Sequence, residues 1–267
     1  MIKLAKQELD LGIIPSDPDA TYAFYRDVIG LSELPSMPLG GGSEQRRVRA
    51  GKHMLKFNCL AKPPERQRGG TERAIGIRLL ALFIDELDPV LERITAAERK
   101  YAMLPVSEEL GYRVAMVKDP EGNVVELIGL KKPAGKELSA RLQIGLTVGD
   151  LERTKRFYGE LLGLPEQPPM KIGSANVDTR YAFTWGATTV KFWKIPGELP
   201  VQTGSPNSFA GIRYFTAMVE DIDAAHAAVK SKDIPVMMAP IELGTVARLM
   251  FIADPDGNWI ELAQRLS

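Results

Sequence analysis

Apolar and polar side chains alternate through ELDLGII, Glu8–Ile14, which predicts a strand with one face buried. GIRLLALFI from Gly76 reads the same way. Leu142, Ile144, Leu146 and Val148 form a third apolar face, with Gln143, Gly145 and Thr147 on the other side. An acidic cap and a helix follow each first strand. Asp17-Pro18 and Asp88-Pro89 place Asp at an N-cap and Pro at the first helical position. Asp150 and Asp221 fill the same capping role without the proline. Behind the helices lie the strand-like runs HMLKFNC, YRVAMV and VVELIGL, answered later by TTVKFWK, ARLMFIA and WIELAQ. DPEGN and DPDGN read as turns between strands.

The pattern occurs twice. Leu9, Gly12, Asp17, Thr21, Phe24, Tyr25, Gly30 and Leu31 recur in order as Leu142, Gly145, Asp150, Thr154, Phe157, Tyr158, Gly163 and Leu164. GIRLLALFIDELD returns as GIRYFTAMVEDID, and DPEGNVVEL as DPDGNWIEL. Duplication explains this order. The expected organisation is a domain at 1–130, a polar linker with Pro and Gly at 131–140, and a domain at 141–267. Each half divides into two strand-helix-strand-strand-strand units, so the fold class is α+β with four βαβββ modules.

Composition narrows the function. The 267 residues are 45% apolar and carry 34 basic and 34 acidic side chains, a balance that favours neither nucleic acid nor an anionic membrane as partner. No apolar run is long enough to span a bilayer. The opening MIKLAKQELDLGI has no apolar signal core, and Cys59 is a lone cysteine, so a cytoplasmic location is expected. Cys59 reads as a small core residue. The glycine runs at 40–42 and 69–70 lack a GK[ST] ending and read as connections, not phosphate loops.

The segments Asp17–Leu31 and Asp150–Leu164, of form D-l-x-x-(A/T)-x-x-FY-x-x-x-x-GL, together with the two DPxGNxxEL endings, resemble the vicinal oxygen chelate superfamily, the group of glyoxalases, bleomycin-resistance proteins and extradiol dioxygenases. The resemblance covers nearly the whole chain and implies paired modules curled into open cups. It also implies a divalent metal in the cup, held from the first strands and from later strands that include the Glu of DPxGNxxEL.

At the ligand positions carried over from that pattern, the chain has Asp10 and Gln143 on first strands where a His is usual, Leu79 and Tyr214 on the next modules' first strands, Lys56 and Lys191 on middle strands, and Glu126 and Glu261 at the ends. Strand parity turns these toward the cup. Taking each half as one cup groups Asp10, Lys56, Leu79 and Glu126, and separately Gln143, Lys191, Tyr214 and Glu261. Trp193 and Trp259 share the parity of Lys191 and Glu261 and are expected to wall the second group. His53 and His226, the chain's two histidines, fall at no ligand position. A lysine among ligands repels a cation and offers donors only. No cofactor is therefore expected, with a divalent metal on Gln143 and Glu261 left open.

Loss of histidine with retained Glu and gained Lys and Tyr points to metal-independent proton transfer of isomerase or lyase type on a small organic substrate. Glu261, Lys191 and Tyr214 would be catalytic, Gln143 would orient substrate, and Asp10, Lys56 and Glu126 would line the other cup. Two alternatives stand beside it: a binding protein that sequesters a toxic or antibiotic-like molecule, and a metal-dependent lyase or dioxygenase with atypical ligands. Residues 194–208 could serve as a lid or as an inert connector. Met237 and Met238 are expected to fill core, and Arg78 and Arg213, with parity pointing away from the cup, to form structural ion pairs. A monomer or a homodimer is compatible with the internal duplication.

Overall fold

A computed structural model describes residues 2–104, 111–130, 141–172 and 176–266; the expected linker at 131–140 lies outside them. The first module contains β1 (Asp10–Ile14), α1 (Pro18–Ala23) continued by a π-helical turn at Phe24–Val28, β2 (Ser32–Gly40), β3 (Ser43–Ala50) and β4 (His53–Cys59). The second has β5 (Gly76–Ile84), α2 (Leu87–Ala96), β6 (Tyr101–Leu104), β7 (Tyr112–Lys118) and β8 (Val124–Leu130). The third has β9 (Leu142–Thr147), α3 (Leu151–Lys155) with a π-helical turn at Arg156–Leu161, β10 (Glu166–Lys171), β11 (Thr179–Trp185) and β12 (Thr188–Trp193). The fourth has β13 (Gly211–Met218), α4 (Ile222–Lys230), β14 (Val236–Leu243), β15 (Ala247–Ala253) and β16 (Trp259–Arg265). This is the α+β arrangement of four βαβββ modules that the alternation predicts.

The modules combine across the halves. One eight-stranded sheet has the order β14-β15-β16-β13-β1-β4-β3-β2, the other β10-β11-β12-β9-β5-β8-β7-β6. First strands meet antiparallel: β1 lies on β13 with Asp10 opposite Thr216 and Gly12 opposite Tyr214, and β5 lies on β9 with Leu79 opposite Gly145 and Ala81 opposite Gln143. The first module thus shares a sheet with the fourth, and the second with the third. Leu11, Ile13, Leu80, Leu82, Ile144, Leu146, Phe215 and Ala217 join one apolar core, which leaves the opposite parity for the concave faces. No helix among the described residues is long and apolar enough to cross a membrane.

What holds the two modules of a half together is the repeated motif. The Tyr25 hydroxyl donates to Asp119 at 2.8 Å and the Tyr158 hydroxyl to Asp254 at 3.2 Å, tying each FY helix to the DPxGN turn of the next module. Asn123 and Asn258 close those turns by donating backbone and side-chain N–H groups to the same aspartates. Burial pushes both carboxyls up to about 6 against the pull of these donors.

Glu121 strengthens the first turn. Its carboxylate is fully buried and accepts from Ser16 N at 2.9 Å, Ser16 Oγ at 2.7 Å and Thr21 Oγ1 at 2.8 Å. The Glu121→Ala variant strands these donors in the interior, so a loss of about 3 kcal/mol or more is expected in urea unfolding. A loss under about 1 kcal/mol would show that the network is replaceable by water.

Local details differ from the sequence expectation in three places, the first being Met237 and Met238, expected in the core: both lie on the edge strand β14, where Met237 is 47% exposed and Met238 half-buried. Asp17, Asp150 and Asp221 cap their helices as expected, but α2 starts from Glu86, which makes no side-chain cap bond. Asp88 sits inside the first turn and instead pairs with Arg113 at 2.7 Å. The repeat explains this, because Glu86 occupies the place of Asp221 and its longer side chain does not fold back onto the turn. Arg78 and Arg213 point away from the cups as expected but form no ion pair among the described residues. Arg78 donates to the carbonyls of Ala74, Arg68 and Ile75, and Arg213 to those of Gln202 and Thr203. Burial lowers both guanidinium groups to about 10.

Candidate functional site

Each sheet curls around one concave face, and each face holds a lysine bonded to a carboxylate from the opposite half of the chain. In the first cup, Lys56 on β4 donates to Glu261 on β16, 205 residues away, and to Thr216 on β13; the Thr216 hydroxyl donates to the same Glu261 oxygen. Asn58 donates to the Tyr214 hydroxyl at 2.9 Å, and the Lys56 ammonium lies 4.8 Å from the centre of the Tyr214 ring. Tyr214 meets Phe251 edge-on at 5.7 Å, and Phe251 meets Trp259 at 5.1 Å, so an aromatic wall leads away from the charges.

Gly12 makes this packing feasible. A Cβ there would stand 2.1 Å from the Tyr214 ring, so only glycine lets the phenol lie flat on β1. Asp10 shares the face but binds Lys6 at 2.5 Å and the Met54 N–H at 2.7 Å.

In the second cup, Lys191 on β12 donates to Glu126 on β8. Gln143, half-buried, faces this cup from β9, opposite Ala81 and beside Thr189. Trp193 lies over Gly145 and Leu79, where a Cβ on the glycine would meet its ring at 2.7 Å. On the β5–β8–β7 side the lining is apolar, with Ala81, Phe83, Val114, Val124 and Ile128, and on the β11–β12 side Arg180, Thr184 and Thr189 share the face of Lys191. From residues 194–208, Ile195 and Leu199 pack onto this lining.

The parity assignments therefore agree with the structure, and the grouping by halves does not. Lys191, expected beside Glu261 and Tyr214, is paired with Glu126, and Gln143 accompanies it. Lys56, expected with Glu126, is paired with Glu261 and sits under Tyr214. The expected cluster of Asp10, Lys56 and Glu126 is divided, with Glu126 in the other sheet and Asp10 held by Lys6. Trp259 walls the first cup and Trp193 the second. The physical reason is the closure of first strand on first strand across the halves. Thr216, Asn58, Phe251 and Arg180 are the cup residues that sequence reasoning missed; Thr216 and Asn58 have the parity of Tyr214 and Lys56, two positions on.

The two lysines differ electrically. Burial is the largest influence on Lys56 and would lower it, but Glu261, Tyr214 and Asp10 outweigh burial and hold the group above the ordinary lysine range. Burial dominates at Lys191 and pulls it below that range; Glu126 opposes this and Arg180 adds to it. Burial also raises the Tyr214 phenol against the influence of Lys56.

The family model described as Glyoxalase/Bleomycin resistance protein/Dioxygenase superfamily matches residues 9–127 and 141–262. The chain belongs to this superfamily. Its fold is similar to that of two crystallised variants of glyoxalase I from Zea mays. One aligns with a TM-score of 0.72 at 17% identity, covering 96% of this chain and 94% of that one, and the other with 0.73 at 18%, covering 96% and 92%. A putative dioxygenase from Bacillus subtilis aligns with a TM-score of 0.68 at 11% identity, covering 98% and 85%. At these identities the likeness is one of fold. No curated protein matches the sequence significantly.

Superfamily members usually bind a divalent metal in the cup. The residues here do not fit one. In both cups an ammonium occupies the carboxylate that would ligate the ion, adds a positive charge and provides no lone pair. Among the described residues, no three His, Cys, Asp or Glu side chains converge.

Proposed function

We propose that this superfamily member is a small-molecule enzyme of isomerase or lyase type that works by proton transfer in the first cup without a divalent metal. The observation that carries this reading is the convergence of Glu261, Lys56 and Tyr214 at the foot of an aromatic wall. One oxygen of Glu261 takes the bonds from Lys56 and Thr216, leaving Oε1 as the base for a proton next to a substrate carbonyl. An ammonium has three protons, and Lys56 commits two of them to Glu261 and Thr216. The third, with the Tyr214 hydroxyl, meets the carbonyl oxygen as it gains negative charge. Glu261 then returns the proton to a neighbouring carbon, giving isomerisation, or a group leaves from that carbon, giving elimination. The Lys56 charge is fixed by its neighbours, so it serves as an immobile cation and the carboxylate carries the proton.

Hydrogen exchange tests this without knowledge of the substrate. A panel of enolisable aldehydes and ketones in D2O is followed by proton NMR for loss of the signal beside the carbonyl. The full chain is expected to accelerate exchange for at least one class, and Glu261→Gln to lower that rate by about a hundredfold or more. Equal exchange by both proteins would remove Glu261 as the base. Tight retention of a panel compound with no exchange would favour the sequestering protein instead.

A further inference from the structure

Among the described residues, two buried donors in the second cup have no acceptor. The indole N–H of Trp193 is one, in a side chain only 4% exposed. Nε of the half-buried Arg180 is the other, and among the described residues no hydrogen bond or ion pair engages its guanidinium. Folded proteins satisfy nearly all buried donors, so each exception calls for a partner. Nε of Arg213 and the indole N–H of Trp259 are further orphans among the described residues, but they lie apart, Arg213 turned away from the cups and Trp259 in the first, whereas Arg180 and Trp193 stand side by side. Tyr181 faces Phe192 and Ala182 faces Lys191 across β11 and β12, so the next pair brings Arg180 beside Trp193, on the concave face that Lys191 shares.

The charge balance around them is positive. Glu126 is bonded to Lys191 and attracts Arg180 without bonding it, and Arg141 at the rim stacks over the Phe83 ring at 5.8 Å, so among the described residues one carboxylate faces three cations. Below the charges lies the apolar lining of Leu79, Phe83, Val114, Val124 and Ile128. Val114, Val124 and Ile128 each keep 8% exposure, whereas the core residues Ile144, Val190 and Phe192 keep none, so this lining borders open space. A cavity of about 680 Å3 lies at the end of the sheet among Glu98, Arg99, Lys100, Tyr101, Lys118 and Asp119; it meets this lining at Val124 and does not extend to Trp193 or Lys191.

We propose that the second cup binds a small apolar carboxylate, its oxygens accepting from Arg180 and Trp193 and its body resting on Leu79 and Val124, which pair side by side next to Trp193. An anion there supplies the acceptors both orphaned donors lack and offsets the excess positive charge. The apolar body accounts for a floor that holds only one carboxylate of its own. This site shares no residue with the reaction centre proposed in the first cup, so it stands or falls independently.

Calorimetry on the full chain with benzoate, hexanoate and benzamide tests it. At least one of the two carboxylates is expected to bind, and the uncharged amide to bind about tenfold or more weaker. Arg180→Gln is expected to lower carboxylate affinity about tenfold or more, and Glu261→Gln in the other cup to leave it unchanged. The chain has three tryptophans, so the indole N–H resonances provide a position-specific readout that a general loss of stability would not imitate. The carboxylate should move one of them downfield, and that resonance should be the one missing from Trp193→Phe. Absence of binding by both carboxylates below about 10 mM, equal affinity for benzamide, unchanged affinity in Arg180→Gln, or a shift of the Trp259 resonance in place of Trp193 would each overturn the proposal.

Discussion

Lys56→Met is expected to destabilise the protein by about 3–5 kcal/mol and to abolish hydrogen exchange, because it leaves the Glu261 carboxylate buried with the Thr216 hydroxyl as its remaining donor. The methionine fits the volume of the lysine stem, so the cost is electrostatic. Both side chains of the pair are nearly inaccessible, 8% and 9% exposed, which puts it in the class where breaking costs far more than exposed pairs contribute. The double variant Lys56→Met/Glu261→Leu removes both charges and should recover most of the stability while remaining inactive. A double-mutant cycle from urea midpoints then gives a coupling of several kcal/mol. A single-variant cost under about 1 kcal/mol would mean that water reaches the pair and that Lys56 is not the fixed cation the proposed chemistry needs. The matching Lys191→Met change should be milder, since burial already pulls that ammonium below its ordinary range and Glu126 is the more exposed carboxylate, at 16%.

Alternation carries most of the fold's information. The runs beginning at Leu9, Gly76, Leu142 and Gly211 bury one parity and turn the other to a cup, and Asp10, Lys56, Glu126, Gln143, Lys191, Tyr214 and Glu261 all lie on the faces their parity indicates. Which first strand lies against which is a different kind of information. β5 and β13 are copies of one sequence, so β1 finds the same local pattern in either, and only closure of the whole chain selects β13. That single choice moves Lys56 to Glu261 and Lys191 to Glu126, and with them the expected reaction centre. Arg180 illustrates a second limit. In TRYAFTW its parity opposes Tyr181, Phe183 and Trp185, and an arginine opposite an apolar face reads as solvent-facing. It faces a cup because β8 and β12 complete the sheet around it, which no local pattern records. The misplaced cap at Asp88 is of another sort, since aligning Glu86 with Asp221 would have located it.

The same equivalence of β5 and β13 makes a fragment of residues 1–130 expected to form a homodimer. In the full chain β1 has β13 on one side and β4 on the other, and β5 lies between β9 and β8. Without residues 141–267, β1 and β5 each present an unpaired edge flanked by side chains that are buried in the intact protein, such as Leu11 and Leu80. A second copy supplies β5 in the place of β13 and accepts β1 in the place of β9, and a twofold arrangement satisfies both edges at once. Each of its two cups would then hold Asp10, Lys56, Leu79 and Glu126, with the lysine of one copy bonded to Glu126 of the other. Light scattering on the purified fragment should give the mass of two copies at micromolar concentration. K56E would set two carboxylates together across each interface and should dissociate or unfold the dimer, while K56E combined with E126K restores opposite charges and should restore it. A fragment that stays monomeric with native-like circular dichroism would show that each half closes its own sheet, contrary to the cross-half pairing of β1 with β13 and β5 with β9.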